Sequence, residues 1–302
     1  MLRLIGLGRM GLGMARRLQR KGLEVLGYDA SLEARKRAQD AGIAVVDTLE
    51  ALAEAQGDPR LFWLMVPHEA VDDVLNDLTP HLREGDRVAD GGNSFYKDSL
   101  RRGRALREKG IGYVDVGVSG GIRGEADGYG LMVGGEEADV KAYWPYLKAL
   151  APEGGGLVHA GGPGAGHYAK MVHNAVEYGL MEAYAEGVEL LAAGKELGID
   201  PAKVVSGWRQ GTIVRGFLLD LLADVLAERV DEIAPIVPET GEARWALMEA
   251  LERRVSLPAI AQAFFARLES QDEKRLRFRV LAALRHAFGG HPVVREERGG
   301  RG

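Results

Sequence analysis

A chain of 302 residues, 46% hydrophobic and 27% charged, has the composition of a globular protein and is long enough for two domains, each with its own core. Its formal net charge of -5 argues against a general nucleic-acid footprint, and no apolar run approaches the roughly 18 residues that a membrane span needs. The absence of cysteine removes disulfides, thiolate nucleophiles and cysteine-based metal sites, so any catalysis uses other groups. Met1 opens directly on the apolar run LRLIGLG with no basic leader, which gives the expectation of a cytoplasmic protein.

In chain order, Leu2 to Leu7 predict a strand, followed by a glycine turn and a helix whose Met14 and Leu18 share a face. LEVLGYD, ending in Asp29, predicts a second strand, SLEARKRAQDAG a helix stopped by Gly42, and IAVV a short third strand. LFWLMVP at 61–67 is a strand closed by proline, EAVDDVLNDLTPHL is amphipathic, DRVADGG runs from strand into turn, and SLRRGRALREKG is a basic helix ending at Gly110. GYVDVGVSGG and GYGLMVGG add two strand-like runs. Repeated βα units of this kind put helices on both faces of a mainly parallel sheet, so a doubly wound, Rossmann-type α/β domain is expected over 1–163. Past the glycine-rich segment 154–166 the strand signals stop and long amphipathic stretches take over. An all-α domain is therefore expected over 164–302, with the boundary near Pro163.

Gly6-Leu7-Gly8-Arg9-Met10-Gly11 is a G-x-G-x-x-G that leaves the first strand and opens the first helix. Gly6 would make the tight turn, Gly8 would let the main chain reach a pyrophosphate, and Gly11 would let helix pack on strand. Asp29 stands near the spacing of roughly 20 residues at which a carboxylate accepts from the adenosine ribose hydroxyls, and its charge would repel a 2′-phosphate. NAD is therefore the expected cofactor, with NADP open if Arg35 swings toward a phosphate; a glycine turn that merely packs strand on helix is the structural alternative.

In the second half, Lys170, His173, Asn174, Glu177 and Tyr178 are spaced to share one helical face, with Met171, Val172, Ala175 and Val176 apolar opposite them. Spacing alone also describes a solvated face laced with ion pairs. The adjoining loop GGPGAGHY permits close approach to a ligand and favours a functional reading. By the same criterion Arg267, Arg285 and His291 read as surface and helix-end residues. No histidine and carboxylate set has a metal-site spacing and no G-x-S-x-G elbow occurs, so neither a metal nor a serine nucleophile is expected.

These motifs together resemble the 6-phosphogluconate dehydrogenase family in its short form: GLGRMG as the cofactor loop, DGGNS at 90–94, VSGG at 118–121, GAGHYAKMVHNAVEYG at 164–179, FAR at 265–267 and LRHAFGGH at 284–291. The resemblance implies oxidative decarboxylation of 6-phosphogluconate to ribulose 5-phosphate, with Lys170 as general base, Glu177 as general acid and His173 and Asn174 beside them. It implies that Asn93, Ser119, Gly120, Gly121, His173 and Asn174 hold the sugar-acid end, and that Tyr178, Arg267 and Arg285 hold the phosphate. Val66 and Asn93 join the nucleotide contacts. It further implies a homodimer or dimer of dimers in which Arg285 and His291 serve the neighbouring subunit's site. Two departures stand out: Pro238 and Glu239 occupy the place of a family lysine before Thr240-Gly241, and Asp29-Ala30-Ser31 replaces the family's usual NADP-binding Asn-Arg-Ser/Thr, in keeping with NAD. The competing readings are a dehydrogenase of small unphosphorylated 3-hydroxy acids, sharing Lys170 and the SGG loop, and a non-catalytic nucleotide sensor.

Overall fold

The computed structural model describes residues 1–228, 232–238, 240–272 and 276–289. Its strands are β1 (Leu2–Ile5), β2 (Val25–Tyr28), β3 (Ala44–Val45), β4 (Leu61–Leu64), β5 (Arg87–Asp90), β6 (Gly112–Ser119), β7 (Gly130–Gly135) and β8 (Leu157–Gly161). Between them lie α1 (Arg9–Arg20), α2 (Leu32–Asp40), α3 (Leu49–Glu54), α4 (Val71–Leu78), α5 (Tyr96–Arg107), α6 (Gly124–Asp127) and α7 (Glu137–Leu150). After β8 the described chain is helical: α8 (Ala165–Ala193), α9 (Pro201–Trp208), α10 (Phe217–Leu226), α11 (Glu242–Arg253), α12 (Pro258–Ser270) and α13 (Leu276–Gly289).

The strands form one sheet in the order β3-β2-β1-β4-β5-β6-β7-β8. The first six run parallel, β7 is antiparallel to β6, and β8 is parallel to β7. Alternate residues supply two apolar clusters, Leu2, Leu4, Leu61, Trp63, Val114 and Val116 going to one and Ile5, Phe62, Leu64, Val88 and Tyr113 to the other. Period-two alternation with apolar residues on both sides is what a sheet covered on both faces requires.

The chain divides into two compact units, Met1–Ala175 and Val176–Gly302. The division falls inside α8, so the first turns of that helix belong with the sheet. In the second unit, Tyr178, Ala243, Ala263 and Phe264 make one small core, and Val205, Leu219 and Ala223 another. Among the described residues no helix is long and apolar enough to cross a membrane.

Candidate active site

The turn after β1 is built for close approach. Gly6 has φ +97°, and a Cβ there would lie 2.5 Å from the Met65 carbonyl oxygen and 3.0 Å from Val66 Cγ1, so only glycine brings this turn against the end of β4. A Cβ on Gly11 would overlap the Gly6 carbonyl oxygen. At Gly8, by contrast, no atom of the described residues lies within 4 Å of the Cβ position. That residue precedes α1, which has no side-chain cap and no acid in its first turn, leaving its first N–H groups and the positive end of its dipole to an anion. Arg9 is exposed and Met10 half-buried beside this opening. Asp29, just past β2, accepts from the Leu7 N–H through Oδ2 (2.7 Å) and from the Ser31 N–H through Oδ1 (2.8 Å), which ties the glycine turn to the second strand. Its carboxylate keeps lone pairs for two vicinal hydroxyls. These features fit a dinucleotide.

The turn that follows β5 carries Asn93. Asp90, fully buried, accepts from the Gly92 N–H (3.0 Å), the Ser94 hydroxyl (2.8 Å), the Tyr113 hydroxyl (3.2 Å) and Arg102 (3.3 Å). Arg102 also donates to Asp72 at 2.8 Å, and its hydrogen bond is the largest of the influences that hold the Asp72 carboxyl down, at about 2. One buried carboxylate thus organises the DGGNS turn from within.

Strand β6 and helix α8 are matched residue by residue. Asp115 accepts the Gly164 and His167 N–H groups (2.7 and 2.8 Å), a Cβ on Gly117 would overlap the Lys170 Cβ, and Ser119 Oγ lies 3.4 Å from His173 Nε2. Residues 115, 117 and 119 share a strand face, and 167, 170 and 173 are successive positions along one side of the helix. A step of two strand residues spans roughly 6.6 Å and a step of three helical residues rises about 4.5 Å, close enough for successive side chains of the two elements to meet over this short stretch. Lys170 is buried at 9% exposure against the VSGG strand, His173 is exposed, and its Nδ1 lies 3.1 Å from Asn174 Oδ1. Gly120 and Gly121 both have left-handed φ, +119° and +51°, where the chain leaves β6.

In the second unit, Arg267 stacks with its guanidinium carbon 3.4 Å from the Tyr178 ring centre. The Tyr178 hydroxyl lies 3.4 Å from Thr240 Oγ1, and Thr240 donates to Glu242 at 2.6 Å. Burial, then Glu186, raises the Glu182 carboxyl above its ordinary range, while Arg267 opposes the rise. Glu177 is half-buried on α8. Arg285 lies on α13, outside the residues whose side chains are described, and His291 lies outside the described residues.

The predicted polar stripe differs from a polar face backed by an apolar one. Met171 and Ala175 are buried as expected, but so are Lys170 and Tyr178, whereas Val172 and Val176 are 41% and 47% exposed. The start of α8 meets the sheet through the lysine side as well as the apolar side, because glycines at 117, 134 and 166 bring the backbones together. Asp115, His167, Ser99 and Arg102 are the residues that sequence reasoning missed. A lone carboxylate inside the apolar run GYVDVGVS was the available signal for Asp115. Among the described residues no group of three or more potential ligands is arranged to hold a metal ion.

Residues 2–161 match the NAD binding domain of 6-phosphogluconate dehydrogenase, and residues 166–299 match the 6-phosphogluconate dehydrogenase C-terminal domain. A Haloferax volcanii protein named NAD(+)-dependent, decarboxylating 6-phosphogluconate dehydrogenase is 40% identical over 300 residues, covering 98% of this chain and 99% of its own. A Plasmodium falciparum 6-phosphogluconate dehydrogenase, solved apo, with NADP+ and with 6-phosphogluconate, superposes with TM-score 0.81 at 27% identity, over 98% of this chain and 66% of that one. Mycobacterium tuberculosis 3-hydroxyisobutyrate dehydrogenase, at 22% identity, TM-score 0.68 and coverage of 90% of this chain and 94% of its own, shares the fold. With a nucleotide-binding sheet, a buried lysine set against the VSGG strand and both family models matched in order, the chain belongs to the 6-phosphogluconate dehydrogenase family.

Proposed function

We propose that this protein oxidatively decarboxylates 6-phosphogluconate to ribulose 5-phosphate and carbon dioxide, with NAD preferred to NADP. The observation that carries the reading is the seating of Lys170: a lysine buried against Gly117, between the carboxylate-anchored start of α8 and Ser119 at the end of β6. A lysine acts as a base only when neutral, and withdrawal from water is the environment that favours the neutral amine. Bound nicotinamide supplies the hydride acceptor. Lys170 takes the proton of the substrate's C3 hydroxyl as the hydride leaves, and the resulting ammonium returns that proton to the new carbonyl oxygen as the β-keto acid loses carbon dioxide, which leaves an enediol. Glu177, two turns along the same helix, protonates C1 of the enediol while Lys170 takes the proton of the adjacent C2 hydroxyl, giving the ketose. Asn93, Ser119, Gly120, Gly121, His173 and Asn174 hold the sugar-acid end; Tyr178, Arg267 and Arg285 hold the phosphate.

The NAD preference rests on Asp29 and on the fate of Arg35. The Arg35 side chain, 14% exposed, donates to the Asp29 carbonyl at 2.6 Å and pairs with Asp47 at 3.4 Å, so turning it toward a 2′-phosphate would break both interactions. Relatives named for each nucleotide occur in the family, and Asp29 favours the unphosphorylated one. Replacement of Lys170 and Glu177 by alanine tests the roles: each variant should lose at least a hundredfold in kcat while still binding NAD, and turnover within a few-fold of wild type would refute the assignment.

A further inference from the structure

The elements that carry Asn93 and Lys170 are joined beneath the surface by a chain of side chains with no role in the reaction above. Asp90 holds the Gly92 backbone N–H and accepts the Tyr113 hydroxyl at 3.2 Å; Tyr113 is hydrogen-bonded to Ser99; Ser99 Oγ lies 2.6 Å from His167 Nδ1; and the backbone N–H of His167 donates to Asp115 at 2.8 Å. Every one of these side chains is at most 1% exposed. The polarity of the chain follows from its two ends. A carboxylate only accepts, so Tyr113 donates to Asp90 and its oxygen is left to accept, while the one Ser99 proton has two acceptors in reach, that oxygen and the Phe95 carbonyl at 3.4 Å. Ser99 Oγ accepts from His167 when the imidazole proton sits on Nδ1, the tautomer that leaves Nε2 bare. The surroundings favour that tautomer: among the described residues Nε2 is buried without a hydrogen-bond partner, and an orphaned N–H in its place is the rarer and costlier arrangement.

Stability gives no sufficient reason to keep such a network, because buried polar groups of this kind are commonly replaceable by apolar residues of the same shape at little cost. Its two ends do. We propose that His167, with Ser99 and Tyr113, is a positioning residue that couples the DGGNS turn to the first turns of α8, so that Asn93 and Lys170 are held in one fixed relation. The catalytic part of this inference rests on the roles given above to those two residues.

The test uses the full-length protein with Ser99→Ala, Tyr113→Phe and both together, each change deleting one hydroxyl without altering shape. Amide hydrogen exchange is followed at Gly92 and at His167, which lie at opposite ends of the chain, and kcat, KM and the isotope effect with 3-deuterated 6-phosphogluconate are measured alongside. Coupling predicts that either single variant speeds exchange about five- to tenfold at both ends, and that the double variant is no worse than the more severe single one, since a chain is cut only once. Positioning predicts a tenfold fall in kcat with a larger isotope effect and a KM for NAD within twofold. Exchange that rises only at the end nearest the substitution, or kcat within twofold of wild type in a folded variant, would overturn the proposal. If Ser99→Ala does not fold, Tyr113→Phe carries the same comparison. Lack of turnover by the wild-type protein would instead strike the functional reading, and the exchange measurement would still decide the coupling.

Discussion

Gly117→Ala puts one methyl group where β6 meets the lysine helix. The backbone at this strand position accepts alanine without strain, so the effect is one of space alone. The new Cβ would overlap Lys170 Cβ and lie 3.0 Å from both Lys170 Cγ and the Gly166 carbonyl oxygen, against the 3.4–4 Å of ordinary contact. Neither neighbour is the far end of a flexible side chain, so relief requires the helix to move by about 1 Å, in an interior packed as densely as a crystal. Overpacking of this kind costs about 1–3 kcal/mol, which lowers Tm by roughly 3–10 °C for a unit of this size. The catalytic cost is larger, because a misplacement of about 1 Å between a catalytic group and its substrate costs on the order of a hundredfold in rate. The assay is kcat with saturating 6-phosphogluconate and NAD beside a thermal melt and an NAD titration. Nucleotide affinity should stay within twofold, since the Gly6 turn and Asp29 lie on other strands. A Gly117→Ala protein with kcat within threefold of wild type would refute the placement of Lys170 as the reacting base.

Asp29→Ser removes the charge opposed to a 2′-phosphate, and the ratio of kcat/KM for NADP over NAD should rise by roughly tenfold or more; an unchanged ratio would show that another residue sets nucleotide choice. Arg267→Ala should raise the KM for 6-phosphogluconate by roughly ten- to a hundredfold through loss of a charge-assisted bond, with little rescue by lysine, whose ammonium cannot reproduce a planar guanidinium stacked on Tyr178. Asp72 gives a pH signature. Its carboxyl is held at about 2 against an ordinary 3.8, so it contributes stability that is present above pH 3.8 and is lost as pH falls toward 2. The shift taken at face value is about 2.4 kcal/mol, but the side chain is 44% exposed, and screening reduces this to at most about 1 kcal/mol. Asp72→Asn should therefore melt lower than wild type at pH 6 and converge with it near pH 2; equal melting temperatures at pH 6 would contradict the pairing with Arg102.

Local patterns made much of this molecule legible in its sequence. The Gly6 to Gly11 motif, Asp29 and the alternation of apolar runs with amphipathic stretches are short-range signals, and each describes a feature fixed by its own few residues. The direction of β7 depends instead on its connection. The segment 120–129 is too short for a parallel crossover, which needs a dozen residues or more, and β7 accordingly returns antiparallel beside β6. Burial of Lys170 was not legible, because it depends on Gly117, far away in the sequence, having no side chain. The same holds for Asp115, whose partners Gly164 and His167 lie 49 and 52 residues further along the chain. Arg267 has the spacing of an ordinary helix-surface residue; only the packing of α12 against the tyrosine of α8 turns it into a stacked cation.

The most direct test of the proposed activity is a turnover assay with 6-phosphogluconate, run with NAD and NADP and beside 3-hydroxyisobutyrate and unphosphorylated gluconate, with released carbon dioxide trapped. The expected result is reduced nucleotide and carbon dioxide formed in equal amounts from 6-phosphogluconate, faster with NAD. Activity confined to an unphosphorylated acid, or nucleotide binding without any turnover, would contradict it.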